Sequence, residues 1–191
     1  MAREPLILLG GTFDPPHVGH LVLAEFAWQE FGGRVLFMPA GDPWRKAGTP
    51  VTAAEHRLAM TELATDLNAH FAVDAREIRR DGPTYTVDTL EALCAEGHDR
   101  VILLLGADAL RDLPNWREAG RIRELATVAV AARDGEEVPR EPGIVALRMP
   151  GIEVSSTAIR ERVAAGKTIR YLVPDPVRDY IAHHRLYSNA R

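Results

Sequence analysis

"PLILLGGTFDPPHVGH", residues 5–20, decides how the rest of the chain is read. Five residues, "PLILL", have the unbroken apolar character of a strand covered on both faces. They run into a turn carrying two adjacent glycines and two adjacent prolines, and the turn ends on His17 and His20, three residues apart. An apolar helix follows over 17–31. Strand, stiff turn and helix in that order open a βαβ unit.

The pattern repeats along the chain. "RVLFMPA" (34–40), "HFAVDAREI" (70–78), "VILLLG" (101–106), "LATVAVAAR" (125–133) and "GIVALRM" (143–149) read as strands. "TAAEHRLAMTELATDL" is a helix whose Thr52 and Glu55 form a capping box, with Met60, Leu63, Ala64 and Leu67 on its apolar stripe. "YTVDTLEALCAEG" places Val87, Leu90, Leu93 and Cys94 on one face, a core position for the cysteine, and stops at Gly97. The charged stretch 134–143, "DGEEVPREPG", is a surface loop. From Ser155 onward the chain reads as two short helices, the second with Asp175 as cap and Pro176 at its first position. The expected fold is α/β: a doubly wound, Rossmann-like parallel sheet flanked by helices, in one domain over 1–191 with a small helical part from about 155.

Composition excludes several function classes. With 23 basic against 27 acidic residues the net charge is −4, which disfavours general nucleic-acid binding. The lone Cys94 precludes an internal disulfide and a thiolate metal cluster. No apolar run approaches the ~20 residues of a membrane helix, and "MAREP" does not open a signal peptide, so the cytoplasm is the expected compartment. Nothing here forbids a homo-oligomer.

In open α/β sheets ligands sit beyond the carboxyl ends of the strands, which is where the first turn lies. Gly10 and Gly11 admit a ligand close to backbone amides, while the prolines present His17 and His20 near a helix N-terminus suited to an anion. Gly19, costly inside a helix, implies that something flat or bulky needs room there. "HxxH" could also bind zinc, but no third ligand is evident, and neither "GxGxxG" nor "GxxxxGK[ST]" is present. No protein metal site is therefore expected, and Asp14 reads as a turn residue. "VSSTAIR" (154–160) offers Ser155, Ser156 and Thr157 as capping hydroxyls. No acid stands in the first turn, and the first charge is Arg160, as an anion would want. A plain cap followed by a solvated arginine is the competing reading.

"GGTFDPPHVGH" and "VSSTAIR" together resemble the two signatures of the nucleotidyltransferase superfamily, "[HT]xGH" and "[IV]Sx[ST]xxR". With "GPTYTVDTL" (82–90), "GADAL" (106–110) and "LPNW" (113–116) in order, the resemblance is to the bacterial nicotinate mononucleotide adenylyltransferases and spans essentially the whole chain. It implies an enzyme of NAD biosynthesis that joins ATP to nicotinate mononucleotide, giving nicotinate adenine dinucleotide and pyrophosphate, with Mg²⁺ carried on ATP. It implies catalytic roles for His17, His20, Lys46 and Arg160. It also implies ATP contacts from Gly10, Gly11, Thr12, Phe13, Gly19, Gly106, Asp108, Ser155, Ser156 and Thr157. Thr84, Tyr85, Thr86, Trp116 and Arg133 would meet the mononucleotide. The chain departs from the family at 40–46, where Ala40, Trp44 and Arg45 replace an expected Asn, Pro and His, and at Arg117, where a second aromatic is usual. Alternatives are adenylyl transfer to pantetheine phosphate or to nicotinamide mononucleotide, and a catalytically silent nucleotide-binding module.

Overall fold

A computed structural model describes residues 4–42, 51–132, 138 and 141–188. Its strands are β1 (Leu6–Gly11), β2 (Arg34–Pro39), β3 (Phe71–Val73), β4 (Val101–Leu105), β5 (Ala126–Ala132) and β6 (Ile144–Arg148). The helices are α1 (Val18–Phe31), α2 (Ala54–Thr65), α3 (Arg76–Arg79), α4 (Thr86–Ala95), α5 (Ala107–Asp112), α6 (Ala119–Leu125), α7 (Ser156–Ala164) and α8 (Asp175–His183). The strands form one sheet in the order β3-β2-β1-β4-β5-β6, and every pairing is parallel. Connections therefore leave β1 in one direction and β4 in the other, which makes the gap past their carboxyl ends the topological switch point.

Alternation along the strands builds two cores. Leu6 and Leu8 of β1, with Val101, Leu103 and Leu105 of β4, face α4 and α6 and pack with Leu90, Leu93 and Ile122. Ile7 and Leu9, with Ile102 and Leu104, face the other way onto Ala24 and Ala27 of α1. A third cluster joins Met60 of α2 to Ile159 of α7 and Val177 and Ile181 of α8. Among the described residues no helix is long and apolar enough to cross a membrane.

Several expectations change in detail. The run 70–78 is a strand only over Phe71–Val73. Asp74 then accepts from the Arg76 amide at 2.8 Å and turns the chain into α3. Thr52 does not cap α2, whose N-cap is Ala53. The Thr52 amide donates to Asp14 and its carbonyl accepts from Arg57, so both backbone groups are engaged elsewhere. The buried face of α2 is Arg57, Met60, Thr61 and Thr65, whereas Leu67 is 94% exposed and Leu63 is also at the surface. Cys94 is half-buried rather than core. Helix α8 starts one residue earlier than expected, with Pro174 at its N-cap and Asp175 in its first turn.

Candidate active site

His17 is the N-cap of α1, and its ring stacks on that of His20 with centroids 3.8 Å apart. The His17 amide donates to His20 Nδ1 at 3.2 Å. A neutral His20 with an acceptor at Nδ1 carries its proton on Nε2. Beneath the pair lies Phe13, only 2% exposed and in left-handed backbone at φ +51°, its ring edge-on to His20 at 5.0 Å. Such a backbone costs about 1–2 kcal/mol for a residue with a Cβ, offset here by burial of the ring.

The glycines are explained by these rings. A Cβ on Gly19 would stand 3.1 Å from the His17 imidazole, so the flat group that needs room is His17 itself. A Cβ on Gly11 would meet the Phe13 ring at 2.9 Å, so Gly11 accommodates Phe13 while also bordering a cavity. Gly10 instead faces open space in a cavity.

That cavity, about 610 Å³, is bounded by the turn, by the ends of β1 and β4, and by Thr84, Thr86 and Trp116. A second cavity, about 440 Å³, is lined by His17, Gly19, Asp108, Arg111 and residues 149–152 with Val154. His20, Leu23 and Gly106 border both. His20 thus stands where two ligand-sized spaces meet, at the switch point of the sheet.

Helix α7 braces the turn from behind. Ser155 caps it, accepting from the Ala158 amide at 3.2 Å, and Ser156 Oγ donates to the Pro15 carbonyl at 2.8 Å. Arg160 donates to the Asp14 carbonyl at 2.8 Å and to Thr157 Oγ1 at 3.3 Å. The two signature segments, far apart in sequence, therefore meet. Arg160 nevertheless lines a separate depression with Asp14, Thr52 and Tyr187, not either cavity that His20 borders. It is also less free for an anion than its place in the helix implied.

Both oxygens of the Asp14 carboxylate are engaged. The residue is 2% exposed, with Oδ1 accepting from the Tyr187 hydroxyl at 2.7 Å and Oδ2 from the Thr52 amide at 3.2 Å. Burial and this carboxylate push the Tyr187 phenol well above its ordinary range. Among the described residues no group of three or more His, Cys, Asp or Glu side chains could hold a metal ion.

The remaining expected residues divide. Thr84 is buried, Tyr85 is the N-cap of α4 and Thr86 its first residue, and no side chain caps that helix. Trp116 is half-buried, its indole donating to Asp112 at 3.2 Å. Asp108 lies in the first turn of α5, with an exposed carboxylate paired to Arg111, and does not serve as the cap. Lys46 and Arg133 lie outside the described residues. Two groups escaped the sequence reading. Arg57, 1% exposed, donates to the carbonyls of Thr12, Ala40, Gly41 and Thr52 at 2.7–2.9 Å. Its signal was a charge in phase with the apolar stripe of α2. Glu77 borders the larger cavity, and no spacing marked it.

Burial holds the His17 imidazole down to about 4, and Nδ1 makes no well-formed hydrogen bond among the described residues. The unfolded chain takes up that proton near pH 6.5. Between about 6.5 and 4 the unfolded state thus binds more protons, and the folded protein loses stability as pH falls. The loss from this group should reach roughly 3 kcal/mol by pH 4 and be absent above about pH 7. Urea unfolding of the parent and His17→Asn at pH 7, 5.5 and 4 measures it. Equal pH slopes in the two proteins would contradict a buried neutral imidazole.

A family model described as cytidylyltransferase-like matches residues 8–162. A protein of Thermomicrobium roseum named "Probable nicotinate-nucleotide adenylyltransferase" is 47% identical, the match covering 94% of this chain and 90% of that one. One of the same name from a Roseiflexus species is 44% identical over 98% of this chain and 100% of its own. In structure, the chain is similar to Plasmodium falciparum nicotinic acid mononucleotide adenylyltransferase complexed with NaAD. The TM-score is 0.79 at 17% identity, covering 97% of this chain and 98% of that one, a likeness of fold. With the first turn, the serine-rich helix start and the switch-point cavities in place, this chain belongs to the nicotinate-nucleotide adenylyltransferase family of cytidylyltransferase-like proteins.

Proposed function

We propose that the chain is an adenylyltransferase that joins ATP and nicotinate mononucleotide into nicotinate adenine dinucleotide and pyrophosphate, as one cytoplasmic nucleotidyltransferase domain. The observation that carries this reading is the meeting of two cavities at His20. The larger takes the mononucleotide, with Thr84 and Thr86 among its lining residues, Tyr85 assigned beside them, and the Trp116 face against the ring. The smaller takes ATP, with Asp108 toward the ribose and the triphosphate running past His17, Gly19 and His20.

The mononucleotide phosphate is a dianion near neutral pH and attacks the α-phosphorus without a general base. The new P–O bond forms as the bond to the β-phosphate oxygen breaks, and pyrophosphate leaves with the electron pair. Catalysis is then positioning and neutralisation of charge. His20 Nε2–H and the positive end of α1 stabilise the α- and β-phosphates, and His17 steadies the His20 ring. Lys46 is assigned to the departing pyrophosphate, and Arg160, bound to the Asp14 carbonyl outside both cavities, joins it only by giving up that bond. Arg133 is assigned to the mononucleotide phosphate. Mg²⁺ enters on the triphosphate, since the one carboxylate in the turn, Asp14, has both oxygens engaged; when bound it spreads polyphosphate charge.

Pyrophosphate release with Mg-ATP and nicotinate, nicotinamide or pantetheine phosphate acceptors tests the reading. Release with nicotinate mononucleotide well above the other two is expected, and release with none of them would refute it. Trp116→Ala should raise KM for the mononucleotide about tenfold, in keeping with loss of a cation–π face of ~1–2 kcal/mol, and leave KM for ATP within about twofold. Equal effects on both would remove Trp116 from that subsite.

A further inference from the structure

Glu77 is an acid in an unusual place. Among the described residues lining the 610 Å³ cavity it is the one carboxylate, and no lysine or arginine lies among them. Leu8, Leu103, Leu105 and Met38 supply much of the wall. The residue is 9% exposed, and its carboxylate accepts from Thr89 Oγ1 at 2.7 Å, with a second bond from Thr84. Burial raises its pKa, against the pull of these hydroxyls and of Arg80. Keeping a charge-bearing group in so apolar a wall is costly unless something compensates. Two hydroxyls satisfy part of its bonding capacity, and the positive charge that pulls on it, Arg80, does not line the cavity.

The reaction itself leaves Glu77 without a task, because the attacking phosphate needs no base. The substrate assigned to this cavity does offer a partner. Its ring nitrogen bears the ribose, so the ring is a permanent pyridinium cation, and it must shed water to lie against Trp116. We propose that Glu77 reads the positive charge on the ring nitrogen, so that the subsite selects an oxidised pyridinium mononucleotide over its dihydropyridine counterpart, whose ring nitrogen carries no charge. The inference rests on the mononucleotide assignment above and adds the feature of the substrate that is recognised. Ring charge does not change during adenylyl transfer, so Glu77 acts on binding equally in ground and transition states. Glu77 also orients Thr84 through their hydrogen bond, which a purely structural role would share.

The test compares oxidised nicotinate mononucleotide with its 1,4-dihydro form as acceptors, in the parent protein, E77Q and E77D, each checked for cooperative melting. The parent should prefer the oxidised form by tenfold or more in kcat/KM. E77Q should raise KM for the oxidised form about tenfold, with kcat and KM for ATP little changed and the dihydro form affected less than twofold; E77D should recover part of the loss. Trp116 favours the cation in all three proteins, so the change in preference isolates Glu77. A parent protein indifferent to ring charge would overturn the inference without any variant. E77Q losing both forms equally would overturn it in favour of a structural role. A parent active with neither mononucleotide would overturn the assignment beneath it and the inference with it.

Discussion

His20→Ala is expected to lower kcat by ~10²-fold or more while the protein still folds. The side chain borders both cavities and is only half-buried, so its removal leaves no sealed void. Its neighbours hold it for one purpose. The His17 amide takes its Nδ1, the His17 ring covers one face, and the Phe13 edge supports it. A donor fixed in this way meets developing charge without reorganising, which is where electrostatic catalysis gains most. The loss should therefore fall on kcat more than on either KM. Steady-state kinetics with both substrates varied separates the two. An unchanged kcat would remove His20 from the reaction.

Arg57→Met should be the most destabilising of the changes considered, at roughly 3–5 kcal/mol. The guanidinium reaches four carbonyls, which lie in the first turn, at the end of β2 and at the approach to α2. Methionine fills much of the volume but leaves those carbonyls without a charged donor and removes one of the cations near Asp14. Burial lowers the arginine's own pKa, the mark of a charge held out of water. In a protein of this size the expected fall in Tm is about 10 °C. Calorimetry measures it. A shift below about 2 °C would mean that the four carbonyls find water or other partners at little cost.

Much of this was legible because period and punctuation in the chain are physical. Runs such as "VILLL" have one stable home, a parallel strand covered on both faces, and β4 is buried at all five positions. Ser155 was readable as a cap because an exposed hydroxyl before a helix has few better uses. What failed was whatever tertiary partners decide. Thr52 had the form of a capping box, but Asp14 and Arg57 claim its backbone first. Gly11 and Gly19 read as openings for a ligand; they border the two cavities, but the space a Cβ would fill is also needed by Phe13 and His17, whose approach depends on a backbone turn invisible in composition. Arg57 and Glu77 were missed for a related reason. A buried charge is stable only through partners from distant segments, and no local spacing announces them.

ATP labelled at the α-phosphorus, incubated with nicotinate mononucleotide and the protein, tests the central claim most directly. The label should pass into nicotinate adenine dinucleotide at a rate matching pyrophosphate release, and the pyrophosphate should carry none. Label found only in AMP or ADP, with no dinucleotide formed, would contradict attack on the α-phosphorus by the mononucleotide at His20.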